Sequence, residues 1–174
     1  LLPSDITGVN MFNQKTGEWV FHAGPVFAEI VLADEINRAS PKTQSALLEV
    51  MEEAQVTVDG VRRPAPQPFM VIATQNPVEQ AGTYPLPEAQ LDRFLMKTSI
   101  GYPSRSAMID VLDGSASPDR SKNLKPLLSG KDIVAWAALA SANHTDRAVL
   151  DYVAALAEAT REDESSLLGV STRG

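Results

Sequence analysis

The sequence predicts an α/β fold: a parallel-sheet core with two β-hairpin inserts, followed by an α-helical part. Three observations carry this reading. Two short apolar runs, Ile30-Val31-Leu32-Ala33 and Phe69-Met70-Val71-Ile72-Ala73, end abruptly in polar residues, as strands buried on both faces of a parallel sheet do. Asp59-Gly60 lies between alternating apolar and polar residues and tolerates the positive φ of a hairpin turn. After Pro103 no strand pattern returns, and apolar residues recur at helical spacing.

The elements follow in order. Residues 1–8 read as a loop, with Pro3, Asp5 and Gly8 as turn residues. Val9 to His22 reads as the first hairpin, with Asn13 to Gly17 as its turn and Trp19 and Phe21 on one side. Ala23-Gly24-Pro25 breaks that pattern before the first core strand. Ser40 is a good N-cap and Pro41 suits a first helical turn, so a helix is expected from Pro41 to Glu53. Leu47, Leu48, Met51 and Ala54 mark its inner face, and Glu49, Glu52 and Glu53 read as a solvated face. Gln55 to Arg63 is the second hairpin, whose Arg62-Arg63 guard an edge with charge or grip an acidic partner. Pro64, Pro66 and Pro68 end the pairing. Phe69 to Ala73 is the second core strand. A loop with Gly82, Pro85 and Pro87 leads to a short helix from Glu88 to Arg93, and Phe94 to Ile100 is expected to form a third buried strand. Beyond a boundary near residues 101–104, helices are expected at Ser104–Leu112, Lys131–Ser141 and Asp146–Arg161, with a polar loop at 113–123. Val149, Tyr152, Val153 and Leu156 form the stripe of the last helix. Residues 169–174 look like the entry to one more. The expected division is 1–103 as the α/β core and 104–174 as the helical domain.

Composition narrows the function. With 174 residues and 44% of them hydrophobic, the chain can build a core. A net charge of −7 argues against a general nucleic-acid binder, which needs a basic surface. The chain has no cysteine and only two histidines, His22 and His144, so neither a disulfide framework nor a thiolate or histidine metal cluster is expected. No apolar run reaches the length of a membrane span. Leu1-Leu2 lacks the features of a signal peptide, and the chain begins mid-pattern without a methionine. It reads as a piece of a longer cytoplasmic protein.

The chemistry gathers at the strand ends. Asp34 and Glu35 fall at the carboxyl end of the first core strand, where open α/β sheets bind ligands. Two acids there can divide the work: one holds a Mg²⁺ that bridges phosphate oxygens, and the other orients or deprotonates an attacking water. A polar turn after a core strand is the plainer reading of such a pair alone. Thr74-Gln75-Asn76-Pro77 brings a second polar group to the same edge.

Three stretches in this order, Leu32-Ala33-Asp34-Glu35-Ile36-Asn37-Arg38-Ala39, Ala73-Thr74-Gln75-Asn76-Pro77 and Tyr84-Pro85-Leu86-Pro87-Glu88-Ala89-Gln90-Leu91-Asp92-Arg93-Phe94, make the chain resemble a MoxR-family AAA+ ATPase. The resemblance covers nearly the whole chain and is densest from Gly24 to Pro103. It implies a partial AAA+ core followed by a helical lid, with ATP and Mg²⁺ as cofactors. By the resemblance, Asp34 and Glu35 match the Walker B pair, Asp34 for Mg²⁺ and Glu35 for the catalytic water. Asn76 matches sensor 1, near the water and the γ-phosphate. Arg93 matches the arginine finger that acts on nucleotide held by the neighbouring subunit, and Arg173 matches sensor 2 in the lid. The two hairpins match the helix-2 insert and the pre-sensor-1 hairpin. One departure is large: no Gly-x-x-x-x-Gly-Lys-Ser/Thr phosphate loop occurs in the 174 residues. Gly130-Lys131 lacks the loop around it. The expectation is that this loop precedes Leu1.

Three functions compete at this point. The resemblance implies an ATP-driven remodelling machine, a ring of like subunits that acts on a protein client, often a von Willebrand factor A domain protein. A catalytically inactive protein-binding module on the same fold is the alternative. A DNA-linked motor fits the negative charge poorly. Glu35, Arg38, Asn76 and Arg93 together favour the first, since a scaffold does not need them.

Overall fold

The structure is a computed structural model and describes residues 2–76, 82–114, 124–166 and 168–173. Two compact units emerge, Leu1–Leu95 with Gly130–Gly174, and Met96–Ser129.

The larger unit is organised by two parallel strands. β3 (Ile30–Ala33) pairs with β6 (Met70–Ala73), with Val31 opposite Val71 and Ala33 opposite Ala73. Helix α2 (Pro41–Glu53) covers one face of this pair. Ser40 caps it, its Oγ accepting the Thr43 N–H at 3.3 Å, and Pro41 opens the first turn. Leu47, Leu48 and Val50 are buried with Val26, Val31 and Ile36, and Ala33, Val71 and Ala73 pack against them. Burying such side chains stabilises by roughly 1.5–3 kcal/mol each.

The strands are not buried on both faces. Ile30 and Leu32 are 64% and 66% exposed, and Met70 and Ile72 on the neighbouring strand also face outwards. Strand side chains alternate between faces, and α2 covers only one. Nor does Phe94 to Ile100 form a third strand. Leu95, Met96 and Ile100 are almost fully exposed, and no ladder joins this segment to another among the described residues. An apolar run becomes a strand only where a neighbour takes its hydrogen bonds, and periodicity does not report that neighbour.

Both hairpins are present. β1 (Gly8–Asn13) pairs with β2 (Glu18–Ala23), Phe12 opposite Trp19. Their rings lie 5.4 Å apart, while Phe21 packs edge-on against Phe27 at 5.7 Å. β4 (Gln55–Val58) pairs with β5 (Val61–Pro64) through Asp59-Gly60, whose φ values of 50° and 77° explain the demand for this dipeptide. The hairpins touch: Asn10 Nδ2 donates to Asp59 Oδ2 at 2.7 Å. The Arg63 guanidinium lies 3.7 Å from the centre of the Phe21 ring, so Arg63 serves the contact between hairpins as well as the edge.

Other elements frame these. The expected amino-terminal loop contains a short helix, α1 (Pro3–Thr7), started by Pro3. Short 3-10 turns η1 (Pro25–Phe27) and η2 (Ile36–Arg38) flank β3, and α3 (Glu88–Leu91) precedes Arg93. In the smaller unit, α4 (Arg105–Leu112) is capped by Ser104. Part of the expected polar loop at 113–123 lies outside the described residues. Helices α5 (Gly130–Ser141) and α6 (Arg147–Glu162) belong to the larger unit. The stripe of α6 is only half covered, Tyr152 and Val153 being 64% and 56% exposed. Residues 168–173 form no helix. They turn back along α6, where the Val170 N–H donates to Thr160 Oγ1 at 3.0 Å and Arg161 Nε donates to the Val170 carbonyl at 2.9 Å. Gly169 permits the approach, since a Cβ there would lie 2.6 Å from Arg161 Cα. These side-chain bonds tie the segment down without a helical ladder.

Candidate functional site

The first cluster sits where β3 and β6 end side by side. Asp34 follows β3 directly, and Glu35 takes the left-handed conformation, φ 50° and ψ 49°. That region disfavours a residue with a Cβ, at a cost of about 1–2 kcal/mol. The turn is held by Thr74, the first residue after β6. Its hydroxyl donates to Asp34 Oδ1 at 2.5 Å and accepts the Glu35 N–H at 2.9 Å. Its backbone extends the parallel ladder, the Thr74 N–H donating to the Ala33 carbonyl and the Ile36 N–H to the Thr74 carbonyl. Thus one hydroxyl fixes Asp34 and, through the backbone, fixes where Glu35 departs. Glu35 Oε2 lies 3.2 Å from Arg38 Nη1.

Asn76 lies on the same edge, two residues beyond Thr74. Its carbonyl accepts from Asn37 Nδ2 at 3.3 Å. Asn37 is buried and its Oδ1 has no hydrogen-bond partner. Its carbonyl accepts the Tyr84 N–H at 2.7 Å. Gln44, buried in α2, donates to the carbonyls of Ile36 at 3.1 Å and Tyr84 at 2.8 Å. These amides join the floor of the strand-end site to the loop that carries Tyr84 to Pro87. Pro77 and the start of that loop lie outside the described residues.

Arg93 and Arg173 form a second cluster. Arg93 Nη2 lies 2.8 Å from Glu52 Oε2, and Arg173 Nη2 meets Glu52 Oε1. The partner of Arg93 is therefore Glu52, not its sequence neighbours Asp92 and Glu88. Glu52 lies on the exposed face expected of it and there bridges two cations. Asp92 Oδ1 accepts from Ser171 Oγ at 2.8 Å. A cavity of about 480 Å³ opens here, lined by Met51, Asp92, Phe94, Leu95 and the three charged side chains. The structure brings Asp34, Glu35 and Asn76 together at one sheet edge, and Arg93 and Arg173 together on Glu52.

Among the described residues, no three His, Asp or Glu side chains gather as a metal cage. A cation at Asp34 would complete its shell with water and phosphate oxygens, as Mg²⁺ commonly does. Thr74, Asn37, Gln44 and Glu52 escaped the sequence reading. Thr74 lay inside a recognised motif, and its place directly after a strand opposite an acid was the available signal. For Glu52 no local signal existed, because its partners are remote in the chain.

Comparison with known proteins shows the family. Residues 1–96 match the model of the ATPase family associated with various cellular activities (AAA). The chain belongs to the AAA family of ATPases. This AAA chain is 50% identical over all 174 residues to the uncharacterized protein YeaC of Bacillus subtilis, of which it covers 54%. It is 45% identical over 165 residues, 94% of its length, to the chaperone MoxR1 of Mycobacterium tuberculosis, of which it covers 43%. It is thus related to the MoxR proteins and spans about half the length of these relatives. A crystal structure of a candidate ATPase from Cytophaga hutchinsonii superposes with a TM-score of 0.83 at 41% identity, over 99% of this chain and 55% of that one. No helix among the described residues is long and apolar enough to cross a membrane.

Proposed function

We propose that the full-length protein hydrolyses ATP with Mg²⁺ and uses the cycle to remodel or activate partner protein complexes. The observation that carries this reading is the strand-end cluster, in which Thr74 holds Asp34 while Glu35 turns away in a strained conformation. Strain of this kind gathers where function requires it. Asp34 offers a ligand to the cation. Glu35 orients the attacking water and receives its proton, and Asn76 helps to place that water beside the γ-phosphate. Bound Mg²⁺ supplies charge neutralisation at the phosphate oxygens.

Arg93 in this reading serves the nucleotide of a neighbouring subunit, and Arg173 acts as the sensor 2 arginine. Residues 1–103 act as the core and residues 104–174 as the lid. Like subunits form a ring in the cytoplasm. The relationship to a chaperone, MoxR1, supports a protein client, and a von Willebrand factor A domain protein is the kind proposed. The net charge of −7 speaks against nucleic acid.

Steady-state ATP turnover and nucleotide binding by the full-length protein test the reading. Glu35→Gln should keep ATP binding and lose hydrolysis, since the amide keeps the shape without the basic carboxylate. Asp34→Asn should weaken Mg-dependent binding instead. Equal behaviour of the two variants, or full turnover by Glu35→Gln, contradicts the division of labour.

A further inference from the structure

We propose that Glu52 is the positioning residue of Arg93, holding its guanidinium in the place from which it acts, with Arg173 as a second arm on the same carboxylate. The proposal rests on the ATPase reading of Arg93 given above. Each oxygen of Glu52 takes one guanidinium: Oε2 receives Arg93 at 2.8 Å and Oε1 receives Arg173. Arg93 has no substitute anchor, because its buried Nε lacks a hydrogen-bond partner and Glu52 is its carboxylate partner among the described residues. Two guanidiniums drawn to one point would repel each other without the intervening charge. The Asp92–Ser171 hydrogen bond draws the Arg173 segment to the residue next to Arg93, so the carboxyl-terminal segment and Arg93 share a mount.

An incidental surface bridge would contribute little. Two features separate Glu52 from that case. Its side chain is only one-third exposed, and that of Arg93 slightly less. The pair also lines the cavity beside Phe94 and Leu95.

The experiment compares kcat and KM for ATP in full-length wild type, Glu52→Gln and Glu52→Asp, with thermal unfolding of each. Glu52→Gln should lower kcat at least tenfold, leave KM within threefold and unfold close to wild type. Glu52→Asp, which keeps the charge, should recover part of the loss. Mixing Glu52→Gln subunits with Glu35→Gln subunits should restore turnover, because the intact Glu35 sites then meet a correctly held Arg93. A Glu52→Gln kcat within twofold of wild type overturns the proposal. So does a defect carried wholly by KM, a Glu52→Asp variant no better than Glu52→Gln, a failure of mixed subunits to recover, or a loss of cooperative unfolding. A wild type that turns over no ATP fails differently, overturning the ATPase reading and this proposal with it.

Discussion

The Thr74 hydroxyl has two tasks at the strand ends, and its removal should expose both. It donates to Asp34 and accepts from the Glu35 backbone. Thr74→Val keeps the β-branched shape and removes the hydroxyl. Because the site is exposed to solvent, water offsets part of the loss, and we expect a destabilisation of about 1 kcal/mol. Turnover should fall further than stability, since Asp34 loses the bond that aims it. Denaturant unfolding and ATP turnover of the full-length variant check this; no change in either contradicts the role given to Thr74. At this scale the position of Asp34, Glu35 and Asn76 just past strand ends was legible, because a strand end is visible as the place where an apolar run stops. Glu52 was not legible. A glutamate beside Glu53 on a helix reads as solvated until the fold brings Arg93 and Arg173 to it.

Elements whose rules are local were legible. Ser40-Pro41 marks the start of α2 and Asp59-Gly60 the second hairpin, since caps and turns depend on a few adjacent residues. Elements that depend on a partner were not. Among the described residues Phe94 to Ile100 has a strand's composition but pairs with no strand, and β3 has a buried strand's composition but is covered on one face, in a chain that spans about half the length of its relatives. The end of α2 offers a direct test of local physics. Ala54 closes the helix in the left-handed region at φ 52°, its N–H donating to the Val50 carbonyl at 3.0 Å. Glycine occupies that conformation without the Cβ penalty. Ala54→Gly should therefore stabilise the protein by about 0.5–1 kcal/mol, the net of relief from strain and the entropy of glycine. An upward shift of the denaturant midpoint is expected, and a downward shift would show that the Ala54 methyl has packing value exceeding its strain.

On the scale of the whole molecule, the proposed reading divides phosphoryl transfer between the two clusters. In it, Asp34, Glu35 and Asn76 address the cation and the water, while Arg93 addresses developing charge on a phosphate held by a neighbouring subunit. The 174 residues contain no glycine-rich phosphate loop, the element whose backbone N–H groups usually hold the β- and γ-phosphates. The isolated chain should accordingly show no micromolar binding of Mg-ATP by calorimetry and no hydrolysis; micromolar binding would mean that the phosphates find another cradle in these residues.

Turnover in mixed assemblies tests the central claim, that strand-end carboxylates and Arg93 complete one hydrolytic centre across subunits. Full-length Arg93→Ala should bind ATP nearly as wild type does. It should lose turnover by roughly 10³–10⁵-fold, the range of an arginine finger. Full-length Glu35→Gln should also be inactive. Combined, the two should regain activity, because some interfaces then pair an intact Glu35 with an intact Arg93. Mixtures that assemble into rings yet stay inactive at every ratio would contradict the account.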